Sequence, residues 1–191
     1  DRDRKTEARE NISRISGLAD RMAAISRHLR NFARRPQDKT GPVPLRPIVE
    51  DALALMAPRL RTAQVVFNDG PEIWARGGRV RLQQVVVNLI GNALDAGGDD
   101  ARIEITLTGG TTPTIAVRDH GPGLSDDALA QAFDPFFTTK DPGEGLGLGL
   151  SISYNIIRDF GGRLTAENHA DGGAVFIVTL EPAAPVEVAA Q

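Results

Sequence analysis

Gly143-Glu144-Gly145-Leu146-Gly147-Leu148-Gly149-Leu150 sets four glycines at alternate positions, directly ahead of an apolar run that continues to Ile157. Glycine enters φ > 0 at no steric cost and lets other groups approach its backbone. A ladder of such residues feeding an apolar segment reads as a loop that opens into a helix N-terminus. Free N–H groups and the helix dipole suit that terminus to phosphate. Two common nucleotide loops do not fit it. A P-loop needs G-x-x-x-x-G-K-[ST], and no glycine here is followed by Lys and then Ser or Thr. A dinucleotide fingerprint needs G-x-G-x-x-G, whereas the spacing here is strictly two.

Working outward, residues 80–96 carry the pattern of a strong helix. Leu82, Val85, Val86, Leu89, Ile90, Ala93 and Leu94 form its apolar side. Gln84, Asn88, Asn92 and Asp95, four, four and three residues apart, form one polar stripe. A buried amide without a partner costs roughly 1–3 kcal/mol. The stripe is therefore either a solvated face or the seat of a ligand. Mg²⁺ with its waters and phosphate oxygens would satisfy such amides.

Two further segments carry chemistry. Asp119-His120-Gly121-Pro122-Gly123 closes a predicted strand. A carboxylate there can accept from an exocyclic amine such as that of adenine, or it can simply close an Asx-type turn. Phe133-Asp134-Pro135-Phe136-Phe137-Thr138-Thr139-Lys140 puts three of the seven phenylalanines into an aperiodic loop. These rings either dock on another surface or tuck into their own core. Lys140 brings a cation near the glycine ladder.

The remaining pattern orders these pieces. A helix is predicted over 46–60, with Ile48, Ala52, Leu55, Met56 and Leu60 on one face. Strands are predicted at 64–68, 73–75, 102–108, 114–119, 163–168 and 174–180. Gly109-Gly110 and Asp171-Gly172-Gly173 mark hairpin turns. Short helices are predicted at 126–131 and 148–160, the second ending at Gly161-Gly162. This order gives an α/β sandwich with a mixed sheet rather than an alternating βαβ fold. Ahead of it, Ile15, Leu18, Met22, Ile25, Leu29 and Phe32 step as a heptad seam. That helix would run about 45–50 Å and needs a partner helix to bury its seam. Prolines 36, 42, 44 and 47 mark a linker and the start of a new unit.

Bulk properties narrow the class. Apolar residues make up 41% and charged residues 25%, as in ordinary globular domains. The net charge of -3 argues against broad nucleic-acid binding. No apolar run is long enough to span a membrane. Cysteine is absent, so no thiolate metal site or disulfide exists, and a reducing, cytoplasmic setting is expected. His28, His120 and His169 are scattered and form no zinc motif.

In order and spacing the four segments resemble the N, G1, F and G2 boxes of the catalytic domain of sensor histidine kinases, in the GHKL ATPase superfamily. The boxes are Asn88 to Asp95, Asp119 to Gly123, Phe133 to Lys140 and Gly143 to Gly149, and the resemblance covers residues 42–181. The Phe-Phe-Thr-Thr-Lys form is most similar to the nitrogen- and dicarboxylate-sensing class. The resemblance implies a two-layer α/β sandwich of the Bergerat ATP-binding type with a mixed sheet, preceded by the long heptad helix. It divides the chain into a second helix of a dimerisation and phosphotransfer domain at 1–36, an ATP-binding domain at 37–182 and a tail at 183–191.

The same resemblance implies the site. The cofactors would be ATP and Mg²⁺, with Asn92 as the metal ligand. Asn88 and Lys140 would be the catalytic residues. Asn88, Asn92, Asp95, Asp119, Gly121, Gly123, Thr139, Lys140, Gly145, Leu146, Gly147 and Leu148 would line the nucleotide, with Asp119 on the adenine amine and residues 134–146 as a lid. Partners would be a response regulator and, in the full-length protein, a second copy. The chain would be the cytoplasmic part of a sensor of the kind that can be membrane-anchored. Two departures stand out. His120 replaces the usual Asn, and the His-Glu/Asp-x-x-x-Pro context of a phosphoacceptor is missing. His28 is followed by Leu29-Arg30-Asn31, so no acceptor is expected in this chain. Two other readings are a serine kinase of the anti-sigma type, which would lack the heptad helix, and an inactive nucleotide-sensing module, which would not need intact boxes.

Overall fold

Alternation builds the sheet. In β4 (Arg102–Thr108) Ile103, Ile105 and Leu107 are buried, and in β5 (Thr114–Asp119) Ile115, Val117 and Asp119 are buried. Side chains of a strand alternate between faces, so one face of this hairpin packs on a core. In register, Ile105 faces Val117 and Ile103 faces Asp119. The aspartate thus occupies the last inward position of an otherwise apolar row.

The computed structural model describes residues 40–140 and 146–185. The heptad helix with His28, and Gly143 and Gly145 of the glycine ladder, lie outside the described residues, as does the tail from residue 186. The sheet has five strands in the order β2-β4-β5-β7-β6, with β2 as Gln64–Asn68, β6 as Arg163–Asn168 and β7 as Ala174–Thr179. The β2·β4 pair is parallel and the other pairs are antiparallel. Helices α1 (Leu45–Met56), α2 (Arg79–Gly97) and α4 (Gly149–Asp159) contribute to one continuous core with the sheet's inner face. The short α3 (Asp126–Gln131) is N-capped by Ser125, whose hydroxyl accepts from the Ala128 N–H at 3.2 Å. The result is the two-layer α/β sandwich with a mixed sheet that the strand and helix order predicted. No helix among the described residues is long and apolar enough to cross a membrane.

Two local expectations need correction. Leu55 was expected on the buried face of α1 but is 65% exposed. The buried stripe is instead Leu45, Ile48, Val49, Ala52 and Met56, and Leu55 falls at its margin on the last turn. The second concerns the proline-rich start of the unit, where no strand was predicted. Gly41–Pro44 is a strand, β1, antiparallel to β3 (Trp74–Gly77). Its prolines are two residues apart and so share one side of the strand. A missing N–H is harmless where that side faces away from the partner. On the other side of β3, Ala75 bridges Pro182, and the Arg76 N–H donates to the Glu181 carbonyl at 2.8 Å. The segments before α1 and after β7 therefore flank the same strand.

Candidate functional site

The half-buried edge of α2 presents the polar stripe. Asn88 Nδ2 donates to the Gly149 carbonyl and to Ser153 Oγ, both at 3.2 Å. Ser153 is fully buried and donates its own hydroxyl to the Gly149 carbonyl at 2.9 Å. One amide thereby fastens the first turn of α4 to α2. One turn further along α2, Asn92 is half-buried, and among the described residues its amide has no hydrogen-bond partner. Asp95 follows, its Oδ1 accepting from Arg59 Nη2 at 2.8 Å and its Oδ2 from Lys140 Nζ at 2.5 Å. The stripe is thus more than a solvated face: two of its members hold neighbouring segments and one is left open.

Asp119 lies beside the far end of α2. The carboxylate is 3% exposed, and its Oδ1 accepts from the backbone N–H of Gly121 (2.9 Å) and of Ala174 (3.1 Å). Oδ2 takes part in neither bond. Gly121 is pressed against α2, since a Cβ there would stand 2.8 Å from the Ala96 carbonyl oxygen. Gly123 has φ +78, the left-handed region expected of this turn. The Asp119 segment is braced from the β6–β7 hairpin too. Asn168 Oδ1 accepts from the Leu124 N–H and Nδ2 donates to the Leu124 carbonyl, both at 2.8 Å. Gly173, at φ +81, packs so closely that a Cβ would fall 1.9 Å from the Asp119 carbonyl oxygen.

The phenylalanine segment tucks one ring into its own core and leaves another exposed. Phe133 packs on the core and stacks on Tyr154 with centroids 5.4 Å apart. Phe137 is half-buried. Phe136 is 65% exposed at φ +69, an unusual conformation for a bulky residue, and its N–H donates to the Gly147 carbonyl at 3.0 Å. Gly147 in turn has φ +63, and a Cβ there would meet the Phe137 carbonyl oxygen at 2.3 Å. Thr139 is exposed and Leu146 and Leu148 are half-buried beside this contact. Helix α4 begins at Gly149, and the Leu148 carbonyl accepts from Ser151 Oγ at 3.0 Å.

A charged cluster borders the Asp119 segment. Glu104 on β4 contacts His120 Nε2 (2.9 Å), Arg102 Nη2 (3.0 Å) and Arg118 Nη1 (3.7 Å). Partial burial acts to raise the Glu104 carboxyl, but the His120 hydrogen bond and the charges of His120, Arg118 and Arg102 outweigh it and hold it below the ordinary value.

The structure therefore brings Asn88 to the start of α4, Asp95 to Lys140, Asp119 to Gly121 and Gly147 to Phe136. Four supporting residues escaped sequence reasoning: Arg59, Ser153, Asn168 and Gly173. Ser153 left a faint signal, a hydroxyl facing inward on an amphipathic helix. Asn168 and Gly173 act only across the sheet, which no local pattern encodes.

Residues 77–184 match the family of histidine kinase-, DNA gyrase B- and HSP90-like ATPases. The C4-dicarboxylate transport sensor protein DctB of Pseudomonas aeruginosa is 43% identical over 97% of this chain and 31% of its own length. The catalytic domain of histidine kinase ThkA, in a nucleotide-free form, superposes with TM-score 0.69 at 31% identity, covering 76% of this chain and 97% of that one. ThkA in complex with the response regulator TrrA superposes with TM-score 0.73 at 26% identity, covering 88% of this chain and 49% of that one. The chain spans about a third of the length of the curated relatives it matches.

Proposed function

Because the chain belongs to the family of histidine kinase-, DNA gyrase B- and HSP90-like ATPases, we propose that it is the ATP-binding catalytic region of a two-component sensor histidine kinase. The reaction is transfer of the ATP γ-phosphoryl group to a histidine outside this chain, and from there to an aspartate of a response regulator. The similarity to DctB and to ThkA in complex with its regulator supports this reading. The observation that carries it is Asp119. A buried carboxylate, held by two backbone N–H groups through one oxygen, leaves its second oxygen for an exocyclic amine.

The remaining roles follow from the chemistry of each group. Gly121 and Gly123 shape the base pocket, Gly121 by its close packing on α2 and Gly123 by its left-handed turn. Lys140, Gly147 and the first turn of α4 face the phosphates, with Thr139, Leu146 and Leu148 alongside and Asp95 holding the Lys140 ammonium near α2. Gly145, outside the described residues, belongs to the same phosphate loop. Among the described residues no group of three or more His, Cys, Asp or Glu could hold a metal. The open Asn92 amide fits Mg²⁺, a cation that takes few protein oxygens when phosphates and waters complete its shell. When bound there, the ion supplies charge neutralisation to the phosphates. Asn88 orders α4 and, as an amide, cannot take a proton from water. The site therefore favours transfer to an imidazole over hydrolysis. Residues 1–36 are the second helix of the dimerisation domain in this reading, and the full-length protein is a homodimer with its catalytic region in the cytoplasm.

Calorimetric titration with a non-hydrolysable ATP analogue tests the assignment. Wild type should bind about tenfold more tightly with Mg²⁺ than without it, and Asn92→Ala should lose that difference while keeping the metal-free affinity. An unchanged metal dependence in Asn92→Ala would remove Asn92 from the site.

A further inference from the structure

We propose that His120 is a positioning residue of the base pocket, acting through Glu104, and that it couples adenine-nucleotide affinity to proton binding. The proposal rests on the nucleotide-site reading above and adds a residue that the reaction itself does not use.

The placement of His120 carries the argument. It lies between Asp119 and Gly121, which are joined by the Gly121 N–H on Asp119 Oδ1. Its backbone N–H donates to the Arg102 carbonyl at 3.2 Å, and its ring reaches Glu104 at 2.9 Å. Main chain and side chain are thus both tied to β4. From Glu104 a second route leads back to the same pocket. Arg118 faces Glu104 with one nitrogen and donates to the Gly172 carbonyl with another at 3.3 Å. Gly172 adjoins Gly173, which is packed against the Asp119 carbonyl. Glu104 therefore braces both walls around the aspartate.

The charged groups around His120 decide how this brace responds to protons. Glu104 and Arg102 lie on β4, Arg118 and the buried Asp119 on β5. His169 and Asp171 in the β6–β7 turn pair with each other at 3.6 Å. Arg118 and Arg102 join His120 in holding the Glu104 carboxyl below its ordinary value. Within the Glu104 cluster His120 is the imidazole, the side-chain type that serves as a switch near neutral pH. Protonated, it makes a charge-assisted bond to Glu104; neutral, it makes a weaker one. If the braced loop is the form that grips the base, linkage requires that base binding also draw in a proton.

The test is calorimetry with adenosine, which carries no group that titrates in this range, without Mg²⁺ from pH 5.5 to 8.5 on the full chain, with ADP binding by wild type measured alongside. Wild-type affinity should fall by about threefold across this range, the scale of a partly exposed ion pair. Binding near neutral pH should take up protons, read as a dependence of the heat on buffer ionisation enthalpy. H120N, which keeps a neutral donor, should show a flat profile and no uptake. E104Q should flatten it as well, and H169N should retain the wild-type slope. A wild-type slope in folded H120N or E104Q would overturn the proposal, as would loss of the slope in H169N. Failure of wild type to bind ADP at any pH would instead overturn the nucleotide reading on which it rests.

Discussion

Replacing Asp119 by asparagine is expected to lower affinity for ADP by about a hundredfold while moving the melting temperature by less than about 5 °C. The two effects separate because, in the proposed nucleotide site, the carboxylate has two jobs on two oxygens. Oδ1 holds the Gly121 and Ala174 N–H groups. An asparagine carbonyl can accept both of those bonds, so the turn keeps its ties. Its NH₂, however, would stand where Oδ2 was, and would present donors to the amine of adenine. The pocket would then lose a charge-assisted bond and gain a clash of donors. Asp119→Ala, by contrast, should hurt both readouts, because it strands two N–H groups. Calorimetry and a thermal melt on the two variants decide the matter. Unchanged ADP affinity in Asp119→Asn would remove the residue from base recognition. A collapse of stability in the asparagine variant would make its role structural.

The largest effect on stability is expected from Gly173→Ala, a loss of about 3 kcal/mol. A left-handed backbone costs an L residue roughly 1–2 kcal/mol. The larger part comes from contact. A Cβ at 1.9 Å from the Asp119 carbonyl oxygen cannot be absorbed by a side-chain rotation, since the obstacle is backbone. The β6–β7 turn must retreat, and Ala174 N–H goes with it, off Asp119 Oδ1. Gly172→Ala is the matched control. It too has positive φ, +90, but nothing lies within 4 Å of its Cβ. It should cost only the backbone share, about 1 kcal/mol. Urea midpoints of the two variants, at a common m-value, give the difference directly. Equal losses would mean that the close contact carries no energy of its own.

These two residues also show which parts of the molecule the sequence discloses. Asp119 is visible because it ends a strand whose alternation is clean and stands before two glycines. The stripe from Gln84 to Asp95 is visible because helical spacing is local. Those signals sufficed for the sheet, the long helix and the ordered segments between them. Gly173 is different. It reads as an ordinary hairpin glycine, and its second constraint comes from a strand more than fifty residues away in the chain. Asn168 and Ser153 are hidden for the same reason. Gly41–Pro44 is hidden for the opposite one: its local signal is strong and misleading, because two prolines two positions apart break a helix yet fit one side of a strand. Leu55 shows the limit of periodicity, which gives a face but not where the face ends.

The arrangement around β3 has a consequence for how such a unit is used. Gly41–Pro44 lies along one side of that strand and Glu181 to Ala183 along the other. Where the chain comes into the fold and where it goes out are therefore neighbours, separated by one strand's width. Adjacent points of this kind make a fold a cassette, able to be spliced into a longer polypeptide without prying its interior apart. A pull applied between the two points would be borne as shear across the backbone bonds of a short ribbon. The buried layer and the Asp119 turn would lie off the line of force.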